Sequence, residues 1–67
     1  MVNSMTDPDT LCDEYDAADF LKLSVRTLQA WRQQACGPAF IRAGRAVRYR
    51  RRDLIDWIDA NTHGERK

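Results

Sequence analysis

The sequence predicts a mostly α-helical fold with one small β-hairpin, in the order helix, turn, helix, hairpin, helix. Three observations predict it. Two capped amphipathic segments, DEYDAADFL and SVRTLQAWRQQA, are separated by only two or three residues, which forces the sharp corner of a helix-turn-helix. A β-prone stretch, AFIRAGRAVRY, follows a Gly-Pro stop and carries a central Gly44. After it, Leu54, Trp57 and Ile58 recur at helical spacing.

Each element has a local cause. Residues 1–10 are rich in Asn, Ser, Asp, Pro and Thr, with little to bury, and are expected to be a disordered lead. In the first helix Asp13 is the N-cap, with Asp16 three residues on in the place of a capping-box Glu. Ala17, Phe20 and Leu21 form its apolar face, and the small Ala18 allows another helix to approach. Ser24 caps the second helix, where Leu28 and Trp31 share the inner face with Val25 and Ala35 nearby. Gly37 suits the position beyond that helix, and Pro38 prevents continuation.

The hairpin is expected from about Phe40 to Tyr49, with Gly44–Arg45 at the tip. Asp53 is placed as the third residue of the last helix. The expected core is Ala17, Leu21, Leu28, Trp31, Phe40, Ile41, Leu54, Trp57 and Ile58. The domain is expected over residues 11–61, with a flexible tail at 62–67.

Charge is segregated along the chain. The formal net charge is only +1, yet residues 22–52 carry nine bases and no acid, and residues 1–21 carry six acids and no base. A basic block of this kind points to a polyanion. Enzyme chemistry is not expected: the single His63 lies in the tail, and Gly37, Gly44 and Gly64 are too scattered for a phosphate loop. No cofactor or metal is expected, because Cys12 and Cys36 lack metal-ligand spacing; they read as reduced, partly buried thiols. No stretch is long and apolar enough for a membrane span, and the start lacks a signal-peptide pattern, so the expected location is the bacterial cytoplasm, with the nucleoid.

A helix-turn-helix places its second helix in the major groove. That helix would present Arg26, Gln29, Arg32 and Gln33; arginine pairs with guanine and glutamine with adenine. Ser24, Val25 and Thr27 stand at its start, where hydroxyls and backbone amides bind phosphate. Arg45 at the hairpin tip has the shape to enter a minor groove. Arg42 and Arg48 are expected to point the same way on paired strands and flank it as phosphate contacts. Arg50, Arg51 and Arg52 open the third helix, where the dipole disfavours cations. Phosphate outside the chain is one reason for them, and pairing with the acidic first helix is the other.

The run DEYDAADFLKLSVRTLQAWR followed by GPAFIRAGRAVRYRRRDLIDWI resembles the MerR-like winged helix-turn-helix proteins of the excisionase and AlpA type. The resemblance rests on Ala17–Ala18, Phe20–Leu21, Ser24, Thr27–Leu28, Trp31, Pro38, Gly44, Arg48–Tyr49, Asp53–Leu54 and Trp57, and covers roughly residues 11–60. It implies double-stranded DNA binding without catalysis. Arg26 and Gln29 would read the major groove, and Arg45, beside Arg42 and Arg48, would grip the minor groove. It also implies an excisionase, or recombination directionality factor, that binds attachment-site DNA as cooperative copies, bends it and directs a tyrosine or serine integrase towards excision. A small AlpA-type transcriptional regulator of a prophage or mobile element is the close alternative. A protein-interaction adaptor with a basic face is the alternative of another class.

The chain departs from the family at two positions. Lys22 stands where many relatives have glycine, so the corner would differ or Lys22 would itself reach phosphate. Ala30 stands where some excisionases have a basic base-reading residue, which leaves an alanine–thymine methyl contact.

Overall fold

A computed structural model describes residues 7–64. The elements are β1 (Leu11–Cys12), α1 (Glu14–Leu21), α2 (Val25–Gln33), β2 (Ile41–Ala43), β3 (Ala46–Arg50) and α3 (Arg51–Ala60). The three strands form an antiparallel sheet in the order β1-β3-β2, and the whole is a winged helix-turn-helix.

Capping chemistry sets the corner between α1 and α2. The Asp13 carboxylate accepts the Asp16 amide at 2.8 Å, and the Ser24 hydroxyl accepts the Thr27 amide at 3.1 Å. α1 stops because Lys22 turns left-handed, with φ 59°. That turn lets the Leu23 amide reach back to the Ala18 carbonyl at 2.8 Å. The position that favours glycine is therefore taken by lysine in the ordinary C-terminal geometry, and the chain bears the strain of that side chain.

α2 ends at Gln33, two residues earlier than expected. Ala35, not Gly37, takes the left-handed position after it, with φ 58°, and the Cys36 amide closes on the Trp31 carbonyl at 2.9 Å. Gly37 is left-handed too, with φ 85°, and is required for a further reason. A side-chain carbon there would lie 2.7 Å from Cε3 of Trp31.

The hairpin turns at Gly44–Arg45, and only Gly44 has positive φ, as the first residue of a type II′ turn. Its register pairs Ile41 with Arg48 and Arg42 with Val47. Directly paired residues share a face, so Arg42 and Arg48 lie on opposite faces, contrary to expectation. Arg42 shares its face with Val47, and its guanidinium lies 5.7 Å from the Phe40 ring.

The lead segment is partly built in. Residues 1–6 lie outside the described residues, but Thr10 is buried and Leu11–Cys12 pair with Arg50 and Tyr49. The carbonyls of Thr10 and Pro8 accept the first amides of α3, from Arg51 at 2.9 Å and Arg52 at 3.0 Å. These carbonyls satisfy donors that a helix start otherwise leaves open, and they compensate for an N-cap residue, Arg50, with no side-chain cap.

The core is Cys12, Ala17, Ala18, Leu28, Tyr49 and Leu54, with Phe20, Leu21, Val25, Trp31, Phe40 and Val47 packed against it. Trp57 packs against Trp31 with ring centroids 5.3 Å apart and the planes tilted by 42°. Three expected core residues lie outside this cluster, and the half-buried Trp57 is one of them. Ile58 is 38% exposed, and Ile41 lies half-buried on the Arg48 side of the hairpin. Tyr49, set between two arginines, is only 1% exposed.

Candidate nucleic-acid interface

The basic and amide side chains of the expected site divide into two groups. Arg26, Gln29, Ala30 and Gln33 are exposed along one stripe of α2, at the three- and four-residue spacing of a single helix face. Lys22 is exposed at the corner before it, and Arg42, Gly44, Arg45 and Arg48 are exposed on the hairpin. Gln29, Arg32, Gln33 and Arg42 line a groove of about 400 Å³ between α2 and the hairpin. Helix stripe and wing are thus joined by one concave surface.

A second set of site residues is engaged within the chain. Val25 packs against the core. The hydroxyls of Ser24 and Thr27 lie 2.9 Å apart and bond each other, while Ser24 also holds its cap. Arg32 was expected to face a base, but its side chain is only 13% exposed. One nitrogen donates to the Tyr49 hydroxyl at 2.8 Å and another to Oε1 of Glu14 at 2.9 Å. Burial pulls its pKa down, but the bonds to Tyr49 and Glu14 outweigh burial and hold it above its ordinary value. This side chain ties α2 to both β3 and α1.

The arginines at the start of α3 all have partners within the chain. Arg50 bonds Asp53 at 3.3 Å, Arg52 pairs with Asp9, and Arg51 lies 4.9 Å over the Phe20 ring. The cations at this helix start are therefore balanced by Asp53, Asp9 and an aromatic face. Of the two readings of this run, the internal one accounts for its contacts. Only Arg51 reaches the first helix, through a ring rather than an acid. An external phosphate is not needed to explain three arginines here.

Acids also come closer to the basic surface than the charge blocks imply. Asp13 and Glu14 share a groove of about 440 Å³ with Arg42, Arg45 and Arg48. Glu14 is the residue that reading the sequence missed. It contacts Arg32, and both of its carboxylate oxygens lie within 3.4 Å of Gln29 Nε2. Its position in the first turn of an acidic helix signalled only a favourable dipole.

Among the described residues no group of His, Cys, Asp or Glu is placed to hold a metal, and no helix is long and apolar enough to cross a membrane. Both thiols are free, with Cys12 buried and Cys36 exposed. The sequence profile of the family described as Helix-turn-helix domain matches residues 16–62, well over half of the chain. No curated protein matches.

Proposed function

The chain belongs to the Helix-turn-helix domain family and is a DNA-binding protein of that class, and from this premise we propose that it reads duplex DNA with α2 and the wing as an excisionase. The observation that carries the reading is the groove between the exposed α2 stripe and the hairpin, lined by Gln29, Gln33 and Arg42. Arg26, Gln29, Ala30 and Gln33 address the major groove, where arginine suits guanine and alanine suits the thymine methyl. Arg45 at the turn enters the adjacent minor groove. Lys22, Arg42 and Arg48 meet phosphate, and Ser24 contributes through the backbone at the helix start rather than through its committed hydroxyl.

Contacts in two successive grooves favour bent DNA. A single module of this size covers about 600–1,000 Å² of interface, so several copies act together on neighbouring sites. An array of bent sites is what an integrase complex needs in order to run towards excision. The half-buried Arg32 and the internally paired Arg50, Arg51 and Arg52 are left out of the phosphate contacts.

Deleting the protein from cells that carry the corresponding integrated element tests the role. Excision should fall to background while integration persists. Normal excision with altered transcription beside the binding site would instead establish the AlpA-type regulator. On purified protein, the three bases at phosphates, Lys22, Arg42 and Arg48, predict a slope of about −2.7 for log K against log[salt]. No DNA binding at low salt would leave the interaction adaptor.

A further inference from the structure

Phe40 is half-buried at the root of the hairpin, and two guanidinium groups lie against its ring. That of Arg32 is 5.8 Å from the ring centroid and that of Arg42 is 5.7 Å from it. The ring is itself braced by the buried Tyr49, with centroids 6.2 Å apart. Arg32 and Arg42 are also the two residues that line both grooves. Phe40 thus sets Arg42 where the groove beside α1 meets the groove between α2 and the wing. Arg32 shares the ring but is only 13% exposed, so Arg42 is the member of the pair open to a ligand.

Adjacent grooves of B-DNA are separated by one sugar–phosphate strand. With α2 in the major groove and Arg45 in the neighbouring minor groove, that strand passes over the concave surface lined by Gln29, Gln33 and Arg42. We infer that Phe40 is a positioning residue that holds Arg42 towards this strand before DNA arrives. The inference rests on the DNA-binding role proposed for α2 and the wing. A long side chain loses rotamer freedom on binding, and stacking on a braced ring removes part of that freedom beforehand. A planar guanidinium stacks through its face and keeps its edge N–H groups for phosphate, so both contacts form together.

The test is a double-mutant cycle on purified full-length protein, read as affinity for a labelled duplex of mixed sequence at low salt. Phe40→Leu keeps an apolar side chain and removes the ring face. With Arg42 present it should weaken binding roughly two- to fivefold, the range of one exposed cation–π contact. In the Arg42→Ala background the same change should leave affinity unaltered. Phe40→Tyr retains the face and should bind as wild type does. Thermal unfolding sets a temperature at which every variant is folded. If Phe40→Leu does not fold, NMR of the wild-type protein decides. The Phe40 ring current should move the Arg42 side-chain protons upfield, and they should stay shifted on DNA.

The same loss in both Arg42 backgrounds would make Phe40 merely structural and overturn the inference. So would wild-type affinity in folded Phe40→Leu or in Arg42→Ala, a loss in Phe40→Tyr equal to that in Phe40→Leu, or unshifted Arg42 protons on DNA. Each of these leaves DNA binding intact. Absence of DNA binding by the wild-type protein would remove the proposed function itself, and the inference with it.

Discussion

The guanidinium of Arg32 donates to the Tyr49 hydroxyl at 2.8 Å, joining α2 to the strand that builds the wing. Tyr49 is 1% exposed and the half-buried Glu14 also bonds this guanidinium, so Arg32 satisfies one buried and one partly buried group. Arg32→Ala leaves the Tyr49 hydroxyl unpaired and Glu14 with only the Gln29 amide, and should cost about 1–3 kcal/mol of folding free energy. Tyr49→Phe removes one bond and its hydroxyl together and should cost only about 1 kcal/mol. Urea titration of both variants measures the difference. An unchanged midpoint for Arg32→Ala would show that the side chain faces solvent.

Gly37 and Gly44 both have positive φ, but only Gly37 faces a wall. A methyl at Gly37 would sit 2.7 Å from the Trp31 ring, whereas nothing lies within 4 Å at Gly44. Gly44→Ala should cost about 1 kcal/mol of backbone strain. Gly37→Ala adds overpacking against the Trp31–Trp57 pair and should cost about 2–4 kcal/mol. Thermal unfolding followed by tryptophan fluorescence separates them. Equal losses would mean that Trp31 moves aside freely.

Arg26 and Arg51 should separate DNA reading from packing. Arg26 is exposed on the α2 stripe, and Arg26→Ala should lose roughly 1–3 kcal/mol of binding and relax one base position. Arg51 lies over the Phe20 ring, and Arg51→Ala should cost about 0.5–1 kcal/mol of folding instead. Its DNA affinity, measured by fluorescence anisotropy well below the unfolding temperature, should match wild type. A large, sequence-independent loss would return Arg51 to a phosphate.

The Cys12 thiol gives stability a pH dependence of known sign. Burial raises its pKa most, Asp16 and Asp13 raise it further, and Arg51 offsets part of the rise. In the unfolded chain a thiol titrates near ~8.5. The folded protein then retains a proton that the unfolded chain releases. Its contribution is complete below that pH and is lost as pH rises towards the folded value. Urea midpoints should fall as pH rises above about 8, and Cys12→Ala should flatten this part of the profile. Equal slopes in both proteins would place the titrating group elsewhere. A thiol reagent near neutral pH should modify Cys36 at once and Cys12 only after unfolding.

Local chemistry was readable and long-range pairing was not. Asp13 and Ser24 announce their helices because a cap is satisfied within three residues. Gly44–Arg45 announces the turn for the same reason. β1 is only two residues long, and what makes it a strand is Tyr49, 37 residues away from Cys12. Tyr49 sits in the pattern Arg-Tyr-Arg, which signals exposure, but strand alternation sends the ring inward and both arginines outward. Helical period places Arg32 on the outer face of α2, and only the arrival of Glu14 and Tyr49 from other elements encloses it. The hairpin faces failed by parity. Arg42 and Arg48 are six apart along the chain, but the two-residue turn pairs Arg42 with Val47, and one step in register exchanges the faces.

Lys22 brings stability and proposed function into opposition, which makes it the most discriminating single position. Its φ of 59° favours glycine, and the Schellman-type bond from Leu23 to Ala18 forms regardless of the side chain. Lys22→Gly relieves left-handed strain but loosens the unfolded chain, for a net gain of about 0.5–1 kcal/mol. A lysine that served only the fold would then be improved by glycine in every assay. If Lys22 meets phosphate beside α2, Lys22→Gly should bind all duplexes more weakly and lower the salt slope by about one. Thermal unfolding and salt-dependent anisotropy on the same protein supply both readings. A more stable variant with wild-type affinity and slope would remove Lys22 from the interface. A less stable variant would show that the lysine side chain makes contacts worth more than the strain it carries.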